Sequence, residues 1–238
     1  MASLPPHLIF KPVAGLAKKA PAVICVQEWW GINAAIKGIA QKIADKTGAE
    51  VYLPDLYKGK VGVNQEEASH LMNNLDFKNA VNEMELLCKD IIRKEDADRK
   101  VGVCGFCMGG ALTLATAALI EKPLDACAPF YGIPPAELCD VAVLKKKTPV
   151  QGHFGDKDGM AGFSDKASAD KLEETLKNAE GDKEATIFHY PTEGHAFMND
   201  DEFSKEQRKL LKFDGDYTDE ARELAWGRLT EFLKKNLF

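Results

Sequence analysis

The chain has 238 residues, of which 45% are apolar and 29% are charged, a composition typical of a globular protein. This composition excludes collagen-like, coiled-coil and wholly disordered chains, and a single α/β domain covering 1–238 is the expected organisation. The 37 acidic residues outnumber the 31 basic ones, which gives a formal charge of −6. That balance argues against nucleic acid and an anionic membrane as main partners.

Neither a membrane span nor a secretory signal is expected from the sequence. Its apolar stretches all fall short of the roughly 18 residues that cross a bilayer. The first 21 residues have neither the basic start nor the apolar run of a signal peptide. We therefore expect a cytoplasmic location, with the six cysteines present as reduced thiols. Four of them are expected to act as small buried apolar side chains, namely Cys25, Cys88, Cys127 and Cys139.

Short apolar runs alternate with helical patterns along the chain. The runs lie at 22–27, 50–53, 100–105, 126–131, 148–154 and 184–190. Because they are nearly continuous, they predict strands that are covered on both faces. Strand–helix alternation predicts a mostly parallel sheet with helices on both faces, in which functional groups gather at the carboxyl ends of the strands.

Helix ends can also be predicted. After the first run, apolar residues at helical spacing lie between Asn33, a candidate N-cap, and Gly48, a candidate C-terminal glycine. Thr218 is a candidate N-cap for the last helix. The stretch 198–217 is rich in Asp, Glu and Lys, and it predicts an exposed excursion before that helix.

The sharpest motif is Gly105-Phe-Cys107-Met-Gly109, which follows a strand pattern and opens a helix. Gly-x-nucleophile-x-Gly is the nucleophile elbow of α/β-hydrolases. The turn is so tight that the flanking glycines leave room for the neighbouring strand and helix. The helix N-terminus then favours a thiolate on the central residue. The motif predicts a single-domain α/β-hydrolase fold with Cys107 as nucleophile.

Two other interpretations of this segment stay open. One is a tight strand–helix turn that simply buries a cysteine. The other treats Cys104 and Cys107 as a C-x-x-C redox or metal pair. Cys104 lies within the strand run, however, and the second Cys/His pair of a zinc site is absent from the sequence.

The order of acidic and basic residues after the elbow agrees with a catalytic triad, which in this fold runs nucleophile, acid, base. A strand pattern ends in the acidic turn Gly-Asp156-Lys-Asp158-Gly, and a later one ends in Gly194-His195. His195 is the candidate general base. Asp158 is preferred over Asp156 as the acid that orients the His195 ring, and the choice between them stays open.

The remaining site predictions concern backbone amides and aromatic side chains. The amide of Met108, directly after the nucleophile, and that of Trp29, at the end of an early strand, are expected to form an oxyanion hole. Trp30, Tyr131 and Phe197 are expected to line a substrate pocket. The sequence predicts neither a metal nor an organic cofactor.

Four motifs in order carry a resemblance to one family. They are Gln27-Glu28-x-x-Gly31-x-Asn33, the cysteine-centred elbow, Phe-Gly-Asp-Lys-Asp and Gly-His-Ala-Phe. Together they resemble dienelactone hydrolase (carboxymethylenebutenolidase) from about residue 20 to the end. The resemblance implies a Cys107–His195–Asp158 triad. It also implies that Glu28 holds the resting thiol and helps to deprotonate it when substrate arrives.

The expected function is hydrolysis of small esters or lactones by a cysteine nucleophile, and the alternative is a non-catalytic ligand- or partner-binding member of the same fold. One departure from the family concerns the arginines that hold a substrate carboxylate. No arginine lies at 196–200 or 68–76, where the family pattern would place them. Dienelactone itself is therefore not the expected substrate.

Overall fold

The computed structural model describes residues 3–17, 19–95 and 98–238. Within these residues there are seven strands: β1 (His7–Phe10), β2 (Ala22–Val26), β3 (Glu50–Pro54), β4 (Val101–Phe106), β5 (Ala126–Phe130), β6 (Val150–Gly155) and β7 (Ala185–Tyr190). The helices are α1 (Ala34–Thr47), α2 (Gln65–Asn73), α3 (Phe77–Glu95), α4 (Met108–Leu119), α5 (Leu144–Lys147), α6 (Lys166–Asn178), α7 (Glu202–Leu210) and α8 (Asp219–Leu237). A 3₁₀ turn at Val141–Val143 precedes α5.

All seven strands form one sheet in the order β1-β3-β2-β4-β5-β6-β7. Only β1 runs antiparallel, against β3, and the other pairings are parallel. The predicted fold class is confirmed, and each of the six apolar runs overlaps one of the strands β2 to β7 to within one residue at its carboxyl end. Strand β1 was not predicted, because four partly exposed residues at a sheet edge leave no buried run to detect.

Two apolar clusters lie on opposite faces of the sheet. One includes Met84 of α3, Leu112 of α4 and Leu172 of α6. The other includes Ile43 of α1 and Trp226 of α8. Every residue of β2, β3, β4 and β5 is buried, as expected for strands covered on both faces.

The predicted helix ends are confirmed. Asn33 Oδ1 accepts a hydrogen bond from the amide of Ile36 at 3.1 Å, and Gly48 closes α1 with φ 85°. Thr218 Oγ1 accepts from the amide of Ala221 at the start of α8. Across the described part of the chain, the helices all lack the length and apolar character that a membrane crossing requires.

The stretch 198–217 is not simply an exposed excursion, and that prediction was wrong. It contains α7, which buries Ser204, Gln207 and Arg208 against the rest of the molecule. The buried face of this helix consists of polar side chains, so that hydrophobic periodicity gives no signal for it.

His153 lies inside β6 as a buried, hydrogen-bonded ring. It stacks on Phe130 with ring centroids 4.2 Å apart, and its Nδ1 and Nε2 atoms lie 2.8 Å from Tyr190 Oη and 3.0 Å from Gln151 Oε1. Burial, with a smaller contribution from the positive charge of Arg228, lowers the pKa of His153 to about 3. The ring is therefore neutral in the folded protein at neutral pH.

This buried ring predicts a specific sensitivity to acid. An unfolded histidine has a pKa near 6.5, so the unfolded chain binds more protons than the folded one between pH 6.5 and pH 3. The stability that His153 contributes above pH 6.5 is then lost as the pH falls, at up to about 1.4 kcal/mol per pH unit. His153→Phe removes this titration, although it also removes one hydrogen bond each from Tyr190 and Gln151.

Urea denaturation of both proteins between pH 4 and pH 7 measures the effect. The free-energy difference between wild type and variant is expected to shrink as the pH falls. Parallel pH profiles would show that His153 does not cause the acid sensitivity.

Candidate active site

A cavity of about 320 Å³ lies where the chain leaves the carboxyl ends of the parallel strands. Residues that follow β2, β4 and β7 all contribute to its wall, among them Glu28, Cys107 and His195. The outer wall comes from α2 and α3, through Met72 and Phe77, and from α7. The site therefore occupies the edge of the sheet where this architecture gathers functional groups.

Cys107 sits in a strained turn between β4 and α4. Its backbone has φ 55° and ψ −120°, a conformation that residues with a side chain rarely adopt. Three hydrogen bonds hold the turn: the Cys107 amide donates to Phe130 O at 3.0 Å, and Cys107 O accepts from the amides of Gly110 at 2.8 Å and Ala111 at 3.2 Å. Helix α4 begins at Met108, so that the sulfur lies at a helix N-terminus.

The glycines of the elbow are required by contacts between backbones. A Cβ at Gly105 would lie 2.3 Å from Gly109 O, and one at Gly109 would lie 2.4 Å from Val26 O. A Cβ at Gly132, which follows β5, would lie 2.0 Å from Cys107 O. The turn can therefore pack against β2 and β5 only because these positions lack side chains.

A matched pair of substitutions tests this packing. Gly109→Ala is expected to destabilise the protein by about 1–3 kcal/mol, because backbone atoms of β2 must move. Gly38→Ala introduces the same methyl group in α1, where no atom beyond its chain neighbours and its own helix backbone lies within 4 Å. It is expected to stabilise the protein by about 0.5–1 kcal/mol. Midpoints of urea denaturation give both values, and equal effects of the two changes would contradict the steric argument.

His195 and Asp158 are buried and hydrogen-bonded to each other. His195 Nδ1 lies 2.6 Å from Asp158 Oδ2, and Ser164 Oγ lies 3.1 Å from the same nitrogen. Burial alone would raise the pKa of Asp158, but the hydrogen bond and charge of His195 outweigh it and lower the pKa. Asp156 instead lies 2.8 Å from Nδ1 of His189, which is partly exposed. The geometry thus places Asp158, rather than Asp156, behind His195.

The other ring nitrogen of His195 is free within the site. Nε2 is shielded from solvent and lacks a hydrogen-bond partner among the residues that the structure describes. Burial opposes protonation of the ring, but the negative charge of a Cys107 thiolate, hydrogen bonding of the protonated ring to Asp158 and to the Cys107 sulfur, and the charge of Asp158 outweigh burial. Together they raise the pKa of His195 to about 10. A proton that leaves the sulfur is therefore readily held by this ring.

Glu28 is buried in the cavity wall and is held by two neighbours. Asn199 Nδ2 donates to both carboxylate oxygens, at 3.1 and 3.0 Å, and Tyr131 Oη donates to one of them at 3.4 Å. Burial raises the pKa of Glu28, although these hydrogen bonds partly oppose the rise. The residue implied to hold the thiol thus lies in the same cavity as Cys107, with its hydrogen bonds made to Asn199 and Tyr131.

The structure divides the predicted oxyanion and pocket residues between the wall and the core. Met108, Trp29 and Trp30 line the cavity. Tyr131 and Phe197 are fully buried behind His195, with the Tyr131 ring 5.2 Å from the His195 ring and 5.6 Å from that of Phe197. These two aromatic side chains pack against the loop that carries His195 and do not line the cavity. Phe77, Phe163 and Phe213 line it instead.

Sequence reasoning missed the contribution of α7. Arg208 Nη1 donates to the carbonyl oxygens of Ala196 at 3.2 Å and Asn199 at 2.7 Å, on the loop that carries His195. Ala196 has φ 61°, a strained angle for a residue with a side chain. The Arg208 guanidinium therefore stabilises a strained turn. An arginine thus does reach the cavity wall, from a helix further along the chain than the family pattern suggested.

Cys104 is separated from the cavity by its position in the sheet. It is fully buried in β4, in register with Cys25 of β2, and all six cysteines are free thiols. Its hydrogen bond to Cys25 and the burial of both groups raise the pKa of the Cys25 thiol. This arrangement disfavours Cys104 and Cys107 as a redox or metal pair, because only Cys107 of the two lines the cavity.

Comparison with known proteins places this fold and site in a family. The model of the dienelactone hydrolase family matches residues 8–237. A protein of Aquifex aeolicus is 30% identical over 222 residues, covering 90% of this chain and 89% of the relative. The carboxymethylenebutenolidase of Rhodococcus opacus is 27% identical over 192 residues, 74% of this chain and 69% of the relative.

A solved structure agrees at the level of the fold. The dienelactone hydrolase-like promiscuous phosphotriesterase from metagenomic libraries superposes with a TM-score of 0.71 at 17% identity, covering 93% of this chain and 89% of the other. With the family match over nearly the whole chain, the conclusion is direct: the protein belongs to the dienelactone hydrolase family, and it is a hydrolase of the carboxylic ester type.

Proposed function

We propose that the protein hydrolyses small carboxylic esters or lactones through a covalent intermediate on Cys107. The observation that carries this proposal is the pairing of His195 Nδ1 with Asp158 at 2.6 Å, while the same ring interacts with the Cys107 side chain in the cavity that both residues line. This is the arrangement that a cysteine nucleophile and its base require.

In the first half of the proposed reaction, His195 Nε2 takes the proton of the Cys107 thiol as the sulfur attacks the ester carbonyl. The carbonyl oxygen becomes an oxyanion, which the backbone amides of Met108 and Trp29 stabilise. The tetrahedral intermediate collapses to a thioester, and His195 returns the proton to the departing alkoxide. In a lactone, this alkoxide stays attached to the acyl group.

The second half repeats these steps with water as nucleophile. His195 takes a proton from the water as its oxygen attacks the thioester, and collapse releases the carboxylic acid and the Cys107 sulfur, to which the proton returns. Asp158 keeps the imidazole in the required tautomer throughout.

Glu28 is proposed to act on the resting thiol. A carboxylate beside a thiol disfavours the thiolate, and a protonated sulfur resists oxidation in the idle enzyme. The charge of Glu28 is held in the cavity wall by Asn199. Substrate that displaces the carboxylate toward the sulfur would then help to remove its proton.

Trapping the intermediate tests the proposed function. The protein is mixed with 4-nitrophenyl acetate, quenched in acid during turnover, digested and analysed by mass spectrometry. We expect one acetyl group on the peptide that contains Cys107, and none after alkylation of the enzyme with iodoacetamide. Turnover that continues after complete alkylation of Cys107 would exclude the sulfur as nucleophile.

A further inference from the structure

Helix α7 presents two neutral polar side chains to a largely apolar cavity. Ser204 and Gln207 lie one turn apart and both line the cavity wall, and we call them the polar strip. Ser204 is 5% exposed and Gln207 is 8% exposed, so that both are more than nine-tenths buried. Much of the remaining wall is apolar, with Trp29, Met72 and Phe77 as examples.

The strip carries an unpaired polar atom. Gln207 Oε1 is shielded from solvent and has no hydrogen-bond partner among the described residues. The Ser204 backbone amide donates to Asp201 Oδ1 at 3.1 Å, which holds this residue at the first turn of α7. Buried polar groups are nearly always paired in folded proteins, and a free one reduces stability. A free buried oxygen on the wall of a cavity, one helical turn from the Ser204 side chain, therefore points to a ligand that pairs with it.

The character of the strip limits what it can recognise. A hydroxyl and a carboxamide both donate and accept hydrogen bonds, and neither carries a charge. The neighbouring cation, Arg208, already donates from Nη1 to two carbonyl oxygens, and its guanidinium lies 4.2 Å from the centre of the Tyr217 ring. The matching ligand group is thus neutral, such as a hydroxyl or an amide.

We propose that the polar strip selects substrates whose apolar acyl part carries a neutral hydrogen-bonding group at a distance from the reacting carbonyl. This inference rests on the proposed function, because it assigns the substrate class of the same cavity. An aromatic acyl group with a hydroxyl substituent has the required chemistry: its ring packs against the apolar wall, and its hydroxyl pairs with Gln207 and Ser204. A site built to pair a substrate hydroxyl discriminates against the analogue without it, since its own polar groups then stay unpaired.

The test compares 4-nitrophenyl esters of 3-phenylpropanoic acid, of its three ring-hydroxylated isomers and of its 4-carboxy analogue. In the wild type, at least one hydroxylated ester is expected to exceed the parent ester in kcat/KM by about tenfold. Gln207→Leu is expected to lower that ratio to about one, and Ser204→Ala to lower it in part. Glu206→Leu, on the exposed face of the same helix, is the matched control and keeps the wild-type ratio.

Binding supplies a readout that does not require turnover. The N-methylamides of the same acids are titrated calorimetrically into wild type and Gln207→Leu, and the wild type is expected to bind the hydroxylated amide about tenfold more tightly than the parent. Loss of this preference in Gln207→Leu supports the proposal even if Cys107 proves not to be the nucleophile.

Two results would overturn the assignment. The first is an absence of preference for any hydroxylated isomer, or a preference that survives in Gln207→Leu. The second is a preference for the carboxylate analogue that disappears in Arg208→Met, because the strip would then belong to an anion site. Thermal unfolding of each variant verifies that the measured protein is folded.

Discussion

Replacing Cys107 with alanine is expected to lower kcat for 4-nitrophenyl acetate by at least about three orders of magnitude. In the proposed mechanism this sulfur forms the covalent bond to the acyl group, and removal of a nucleophile commonly costs that much or more. What remains is the contribution of the oxyanion hole and of substrate binding. The side chain ends in the cavity, so that its loss leaves the backbone contacts of the elbow in place.

Cys139→Ala is the control, because it makes the same change at a buried cysteine that lies outside the lining of the cavity. It is expected to keep wild-type turnover. Circular dichroism of both variants separates lost chemistry from lost folding. Wild-type turnover in Cys107→Ala would remove the sulfur from the mechanism, whatever the geometry of its turn.

The second large effect concerns the acid behind the histidine. Asp158→Asn is expected to lower kcat/KM by about 10³- to 10⁴-fold, because an amide no longer fixes the tautomer of His195 or stabilises its positive charge. Asp156→Asn, two residues away on the same turn, is expected to change kcat/KM little, since its carboxylate pairs with His189 near the surface.

The same two variants decide between the acids that the sequence left open. Rates of 4-nitrophenyl acetate hydrolysis across pH 5 to pH 10, with unfolding midpoints for each protein, provide the measurement. A large loss in Asp156→Asn together with a small one in Asp158→Asn would reverse the assignment. Comparable losses in both, with unchanged stability, would mean that the acidic turn acts as a unit.

Short-range patterns made much of this architecture predictable. The central strands were found because each is buried on both faces and is therefore apolar at nearly every position. The elbow was found because its packing requires glycine at two fixed positions, which leaves a recognisable motif in the sequence. A Cβ at Gly105 or Gly109 would lie less than 2.5 Å from backbone atoms. The ends of α1 followed from side-chain and glycine caps that act within four residues.

The features that escaped prediction depend on contacts between distant segments. Ser164 reaches His195 and Asn199 reaches Glu28 across 31 and 171 positions of the chain, respectively. Neither residue belongs to a local motif that would mark it. Helix α7 escaped because its inward face is polar, so that the pattern of the segment is that of a solvated loop.

The sequence also did not reveal which aromatic residues near the site line the cavity. Trp30 and Tyr131 were equally good candidates for a pocket wall, since both follow a strand at the carboxyl edge of the sheet. The structure places Trp30 on the cavity and Tyr131 behind His195. The backbone at Tyr131 has φ 37°, an unusual angle for a residue with a side chain, and a sequence does not disclose it.

Arg208 joins the helix that carries the polar strip to the turn that presents His195. An engineer who exchanges residues 202–210 for the equivalent segment of another enzyme would therefore change two properties together. Without a guanidinium at this position, the transplant is expected to lose turnover on every ester alike, however well the new segment suits the desired acyl group. Libraries that diversify Ser204 and Gln207 while keeping Arg208 constant would avoid this linkage.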